Sequence, residues 1–447
     1  MRNFHFETAL LPEGWADNVV IAVEDGVIAD MSVGGPCPPF TDRLAGVAVP
    51  GMANLHSHAH QRAAAGLTER SCTGDDSFWT WRETMYRAVQ AITPEDLQAI
   101  ATQAFVEMLQ GGYTHVAEFH YLHHQPDGTP YADPAEMARR VIAAAEAAGI
   151  GLTLLPVLYA AGGFGGAPTS EGQKRFAGGV DGLLAIRDAL PKPGPGQVWG
   201  VAPHSLRAVP PDALGALLQG VGAEEPVHIH VAEQRREVDE CLAATGKRPV
   251  QWLLDHAEVD RRWCLVHATH VDAGELVALA QRGAVAGLCP TTEADLGDGT
   301  FPAGAFQAAG GIFGVGSDSQ VSASVAEELR LLEWGQRLAT GRRAVLAGGP
   351  ERSTGRSLWT GAAEAGARAC GIAGGAIEIG MRADVTVLAG PRRGDAALDT
   401  AVFASRANPV RHVVVRGECV VRDGAHRLTT VVRDQFERVV TRLGEAA

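Results

Sequence analysis

Eight short apolar runs, ending near His56, Tyr121, Tyr159, His204, His230, His267, Pro290 and Asp318, alternate with longer Ala- and Leu-rich stretches through the middle of the chain. This alternation constrains the fold more than any other feature. The stretches 94–111, 134–148, 179–190, 211–221, 234–244, 272–282 and 325–339 carry helical spacing. A strand that feeds a helix and then another strand builds a parallel βαβ unit. Eight such units close into a (β/α)8 barrel, whose active groups stand where the strands end. Gly162-Gly163-Phe164-Gly165-Gly166 reads as a flexible loop near the barrel mouth.

The two ends of the chain have a different texture. Val19–Val23 and Val27–Met31 are strand-like and flank the turn Glu24-Asp25-Gly26. Asp384–Leu388, Val413–Val415 and Cys419–Val421 are strand-like too, with Arg416-Gly417-Glu418 as a turn. The expected architecture is therefore α/β: a TIM-like (β/α)8 barrel over residues 49–375, with a small β-sandwich domain formed by both termini, 1–48 and 376–447.

With 447 residues, 46% of them hydrophobic and 20% charged, the chain can bury a large core and shows no bias toward disorder. A formal net charge of −14 argues against a nucleic-acid partner, which calls for a basic face. It is compatible with an anionic small molecule, which one or two local Arg residues can hold. The seven Cys are scattered, odd in number and without a CxxC pair, so they read as small buried residues rather than a disulfide framework. The opening Met1-Arg2-Asn3-Phe4-His5-Phe6 has no apolar signal core, and no apolar run reaches membrane-spanning length. A soluble, cytoplasmic protein without membrane contact is expected.

The strand ends carry the chemistry. The first run ends Asn54-Leu55-His56-Ser57-His58, and residues two apart on a strand face the same way, so two imidazoles can grip one ion. The fifth ends His228-Ile229-His230, the sixth Val266-His267 and the eighth Gly316-Ser317-Asp318. Each alone has an ordinary explanation: a hydrogen-bonded histidine, or a Ser-Asp helix cap. Four ionisable groups at the ends of strands 1, 5, 6 and 8 of one barrel are hard to attribute to four separate accidents.

This set resembles the metal-dependent deaminase branch of the amidohydrolase superfamily, and the likeness covers nearly the whole chain. The resemblance implies His56, His58, His230 and Asp318 as metal ligands. His230-Val231-Ala232-Glu233 matches the family's HxxE, implying Glu233 as a catalytic residue beside His267 and Asp318. Pro203-His204-Ser205 stands at the end of strand 4, where two-metal members place a Lys, so one ion per chain is expected. Zn2+ suits imidazole and carboxylate ligands; Fe2+ and Mn2+ accept the same types. Zinc would lower the pKa of bound water from ~15.7 to about 7. Members of the family often form homodimers; the residues themselves say nothing of oligomeric state.

Within that family three stretches resemble the formimidoylglutamate deiminases: His56–Ala63 with Ala65-Gly66-Leu67, Asp76–Glu83 with Met85-Tyr86, and Pro203–Val209. The paired Trp before Arg-Glu in the second is the most specific. His60 departs from the pattern, which has an aromatic there. The likeness implies a dicarboxylate substrate, N-formimino-L-glutamate, contacted by Gln61, Arg82, Tyr121, His204 and Arg207, and Arg is the side chain that grips carboxylates in a fork. Otherwise Arg82 is a surface ion-pair partner of a neighbouring Glu, and Tyr121 a rim aromatic. Phe78, Trp79 and Trp81 are expected to pack a loop over the site. The implied reaction yields N-formyl-glutamate and ammonia: Asp318 and His267 help deprotonate and orient the metal-bound water, Glu233 carries a proton to the departing nitrogen, and His267 also stabilises the tetrahedral intermediate. The alternative is the same chemistry on guanine, an adenosine derivative or a triazine, which two Arg side chains would suit poorly.

Overall fold

The computed structural model describes residues 2–67, 69, 77–349 and 352–446. Eight parallel strands form the barrel: Met52–Ser57, Tyr113–His120, Gly151–Leu158, Gln197–Trp199 continued by Ala202–Pro203, Val227–Val231, Trp263–His267, Val285–Leu288 and Ile312–Val315. Closure comes from parallel bridges, Ser57 to Asp318 on one seam and Val201 to Val227 and Ser205 to His230 on the other. Most of these strands are buried along their whole length, because side chains fill the barrel on one face and helices cover the other.

Local chemistry explains the helices that were expected. Thr93 and Asp96 form a capping box before Pro94–Gln110, and Asp272 and Glu275 form another before Ala273–Arg282. Glu136–Ala148 stops at Gly149, in the left-handed conformation that glycine adopts most cheaply.

The terminal strands form one eight-stranded sheet. Its order runs Ala425–His426, Glu418–Arg422, Val410–Val415, Val385–Leu388, Asp42–Pro50, Arg2–Leu11, Gly14–Glu24, Val27–Val33. The two termini meet where Val385–Leu388 pairs antiparallel with Asp42–Pro50. This β-sandwich has its own core, including Phe4, Phe6, Ile21, Ile28, Leu44, Val387 and Val414. Strand Asp42–Pro50 spans the expected break at 48/49 and runs through Gly51 straight into the first barrel strand.

Three expectations change. Phe78, Trp79 and Trp81 lie on a helix, Phe78–Gln90, not on a loop; Ser77 and Thr80 cap it reciprocally. Asp76, which opens that motif, lies outside the described residues. The C-terminal segment is not strand alone: it carries helices Asp395–Phe403 and Thr429–Ala446. The second of these lays Phe436 beneath the Arg62 guanidinium and pairs Arg442 with Asp96 on helix Pro94–Gln110. Cys241, Cys264, Cys289 and Cys370 are buried and free, but Cys37 and Cys419 are partly exposed, and Cys72 lies outside the described residues. Among the described residues no helix is long and apolar enough to cross a membrane.

Candidate active site

His56, His58, His230 and Asp318 converge at the C-terminal mouth of the barrel, all buried. His56 Nε2 is 3.2 Å from His58 Nε2 and 3.0 Å from His230 Nε2; Asp318 Oδ1 is 3.5 Å from His56 Nε2 and 3.3 Å from His58 Nε2. The tautomers test whether a cation fits. His58 Nδ1 donates to the Phe119 carbonyl at 2.9 Å, and His230 Nδ1 donates to the His204 carbonyl at 3.0 Å. In the neutral rings, both Nε2 atoms therefore present lone pairs to the same point. Lone pairs packed this closely need a positive charge between them. Ligand nitrogens bound tetrahedrally at zinc-like distances stand about 3.3 Å apart, close to what is found.

The protonation states agree. Burial holds His56 down at about 3 and pushes His58 and His230 below the ordinary imidazole range. Burial pushes Asp318 up, but its hydrogen bond from His56 and the nearby histidines outweigh that and leave it well below the usual carboxylate range. Neutral imidazoles with an ionised carboxylate are the ligand states a divalent ion requires.

Neighbours fix these groups. Glu118 accepts from the Ser57 hydroxyl at 2.6 Å and the Ala59 N–H at 2.7 Å, so it clamps the turn that separates the paired histidines from the following loop. Asn54 bonds both the Ser317 hydroxyl at 2.7 Å and the Ser317 N–H at 3.1 Å, tying the first strand to the eighth. A Cβ on Gly316 would lie 2.7 Å from the His56 carbonyl oxygen, so only glycine lets the two strands approach this closely. Ala232, His267 and Asp318 all have positive φ, at 51°, 66° and 43°, in the left-handed region where non-glycine residues are held only by surrounding structure.

Glu233 and His267 stand beside the ligand cluster. His267 Nε2 lies 3.6 Å from Glu233 Oε1 and 3.6 Å from Asp318 Oδ2, while Nδ1 faces Glu293 Oε1 at 3.3 Å. Burial disfavours charge on His267, but Glu233, Glu293 and Asp318 together push it up to about 10. Burial raises Glu233 to about 7, with His267 and Arg207 pulling the other way. Asp298, which accepts from Gln234 Nε2, is raised by burial to about 9. Glu118, Glu293 and Asp298 were not singled out in the sequence; none sits at a spacing that ties it to a histidine.

A cavity of about 580 Å³ opens over this cluster, and Gln61, Arg82, Tyr121, His204 and Arg207 all line it, together with His58, His230, Glu233 and Asp318. Gln61 Nε2 donates to the Tyr121 hydroxyl at 2.7 Å. Arg207 is buried, with Nη2 3.4 Å from Glu233 Oε2. Arg82 does approach Glu83, at 3.8 Å, but its guanidinium lies 4.7 Å over the Trp79 ring and its buried Nε has no hydrogen-bond partner among the described residues. Trp79 also carries Arg207 at 5.6 Å and Arg236 at 4.3 Å, so one indole braces three guanidiniums. Tyr86, Tyr159, Phe176 and Arg236 complete the wall and were not foreseen. Gly162, Gly163 and Phe164 do reach the cavity. His60 is buried edge-on against Tyr121, with ring centroids 4.8 Å apart and neither nitrogen hydrogen-bonded among the described residues, so it packs as an aromatic.

Comparison with known proteins places these features. The Amidohydrolase family matches residues 47–420, and the description "Formimidoylglutamate deiminase HutF, N-terminal domain" matches residues 1–39. Formimidoylglutamate deiminase from Pseudomonas aeruginosa is 52% identical over 429 residues, 94% of each chain. A crystal structure of an amidohydrolase from Brucella melitensis superposes with a TM-score of 0.94 at 49% identity, covering 99% of this chain and 100% of that one. A 5-methylthioadenosine/S-adenosylhomocysteine deaminase from Natronomonas pharaonis is more distant, 28% identical over 84% of this chain and 81% of its own.

Proposed function

The chain belongs to the amidohydrolase family and to its formimidoylglutamate deiminase branch, and from that premise we propose that it hydrolyses N-formimino-L-glutamate to N-formyl-L-glutamate and ammonia, a step of histidine degradation. One observation carries the substrate reading. Of the three guanidiniums that line the same cavity as a His-His-His-Asp metal cluster, Arg82 and Arg207 match the residues the family resemblance assigns to the substrate. A metal site alone suits many hydrolytic deaminations. Paired cations above it suit a substrate with two carboxylates.

His56, His58, His230 and Asp318 would hold one divalent ion, and the donor set favours Zn2+. Such an ion, when bound, makes water ionise near neutral pH and so supplies the nucleophile. Arg207 and Arg82 grip the two carboxylates, with His204 and the Gln61–Tyr121 pair contacting the glutamate portion. The formimino carbon is thereby held over the ligand cluster. Glu233, raised to about 7 by burial, is poised to accept the proton of the attacking water and to return it to the departing nitrogen at neutral pH. His267 sits beside both Glu233 and Asp318, where its ring helps orient the attacking water and stabilises the oxyanion that develops as the carbon becomes tetrahedral. One C–N bond breaks, one C–O bond forms, and the nitrogen leaves as ammonia. Trp79, Trp81 and Tyr86 on helix Phe78–Gln90 restrict water over the bound substrate.

A cytoplasmic setting suits the six free cysteines among the described residues. The family resemblance makes a homodimer the working expectation, which light scattering tests. The reaction is tested by ammonia release from N-formimino-L-glutamate on protein loaded with Zn2+, Fe2+ or Mn2+, beside guanine and 5-methylthioadenosine. We expect turnover on the formimino compound alone and best with zinc. Turnover confined to a purine would replace the substrate reading and leave the hydrolase intact.

A further inference from the structure

Glu237 lies in the first turn of helix Arg235–Thr245, and its side chain is wholly buried. A buried carboxylate needs partners, and its partners are all groups of the active site. Oε1 accepts from the Ala232 N–H at 3.1 Å, and Oε2 accepts from the Glu233 N–H at 3.1 Å. Oε2 also stands 3.9 Å from Arg207 Nε.

These contacts settle how the chain leaves the fifth barrel strand. Ala232 and Glu233 lie between the end of strand Val227–Val231 and the helix cap Gln234, so neither the strand ladder nor the helix supplies an acceptor for their amides. Glu237 reaches back to supply it. Between strand and helix Ala232 adopts φ 51°, which alanine disfavours, and its carbonyl is held by the His270 N–H at 3.0 Å. The strained peptide is thus pinned from both sides, and Glu233 departs from it toward His267.

We infer that Glu237 is a positioning residue for two groups at once: it sets the backbone from which Glu233 acts and holds Arg207 in the cavity wall. The inference rests on the deiminase reading for the roles of those two groups. Arg207 faces Glu233 on one side and Glu237 on the other. An incoming substrate carboxylate competes with Glu233 for the guanidinium, while Glu237 stays bonded to the backbone and keeps the cation in place.

The test is steady-state kinetics on N-formimino-L-glutamate with Glu237→Gln. The amide has the same shape, but it turns an NH2 toward a backbone N–H and removes the charge beside Arg207. A lost charge-assisted bond with an unsatisfied donor left behind predicts a fall of roughly ten- to a hundredfold in kcat per bound zinc, with KM raised several-fold. In an Arg207→Ala background the kcat effect should persist and the KM effect should vanish. A residue that only supports folding would lower the zinc-loaded fraction and leave kcat per zinc and KM unchanged, which would overturn the inference. Equal KM increments in both backgrounds would overturn it as well. Hydrogen exchange at the Ala232 and Glu233 amides should quicken at least about tenfold in Glu237→Gln. That readout needs no substrate, so it separates this inference from the reaction assignment: unchanged exchange sinks the inference, whereas a wild-type enzyme inert on the formimino compound sinks only the reaction. If Glu237→Gln does not fold, Glu237→Asp replaces it, keeping the charge but shortening the arm. It should lower kcat more than it raises KM, and wild-type values would again overturn the inference.

Discussion

Replacing Arg207 with Ala should damage binding, proton transfer and stability together. The guanidinium is buried, 3.4 Å from Glu233 and 3.9 Å from Glu237. At the effective dielectric that protein sites show, a charge pair near 4 Å is worth about 4 kcal/mol, equivalent to about three pKa units. Water entering the vacated space reduces this, so Glu233 should rise by roughly one to two units. The sign follows from the charge. Arg207 stabilises ionised Glu233; without it the carboxyl holds its proton to higher pH. Glu233 must be ionised to accept a proton from water, so the acid limb of kcat should move to higher pH, and part of the lost activity should return near pH 9. Loss of the carboxylate contact adds roughly 2–4 kcal/mol, or about 30- to 900-fold in kcat/KM.

Stability should change in the same direction. Removing one partner of a buried ion pair costs about 3–5 kcal/mol, because the other charges stay behind. Glu233 has a folded-state value already above that of a free carboxyl, so its contribution is full below about 4.5 and is lost as pH rises through about 7. In the variant the loss should therefore grow from pH 6 to pH 8, as read by urea unfolding. Ammonia-release kinetics from pH 6 to 9 with zinc measured per chain decides the rest. A raised KM with an unmoved acid limb would refute the Arg207–Glu233 coupling. An unchanged KM would remove Arg207 from substrate binding.

Two other substitutions probe the metal cluster. Gly316→Ala would place a Cβ 2.7 Å from the His56 carbonyl oxygen and 2.9 Å from its nitrogen, both backbone atoms that cannot swing aside; zinc per chain after dialysis should fall well below one, and full retention would show that the strands can separate without cost. Burial raises Glu118 to about 8, so its favourable contribution is complete below about 4.5 and is lost as pH climbs through about 8; Glu118→Gln, which has no charge to bury, should gain in urea midpoint relative to the parent between pH 5.5 and 8.5, and parallel profiles would refute the assignment.

What could be read from sequence follows from how each group reaches the site. His56, His58, His230, His267 and Asp318 sit at strand ends, and in a barrel every strand end meets at one mouth, so position along the chain predicts position in space. Glu118 and Glu293 reach their partners across 61 and 26 residues through contacts that no periodicity encodes. Helix Phe78–Gln90 was hidden by its aromatics, which read as loop packing although Ser77 and Thr80 carry the cap. The C-terminal helix Thr429–Ala446 was overlooked because the strands before it set the expectation, yet its Phe436 and Arg442 dock it on a neighbouring helix.

The two layers of the site differ in how freely they could change. The ligand cluster is held by strand backbone, the Asn54–Ser317 bonds and the close approach at Gly316. The cavity wall comes from the helix that carries Trp79 and Arg82 and from the loop that carries Arg207. A barrel of this kind could in principle change substrate by exchanging the wall alone. Here Arg207 belongs to both layers, since it also neutralises Glu233 and Glu237. Removing it to admit an uncharged ring would leave Glu237 buried without its guanidinium and Glu233 dependent on His267 alone. A change of substrate class in this chain therefore requires Glu237 to change with Arg207, and a library that varies Arg207 while fixing Glu237 should yield destabilised proteins rather than purine deaminases.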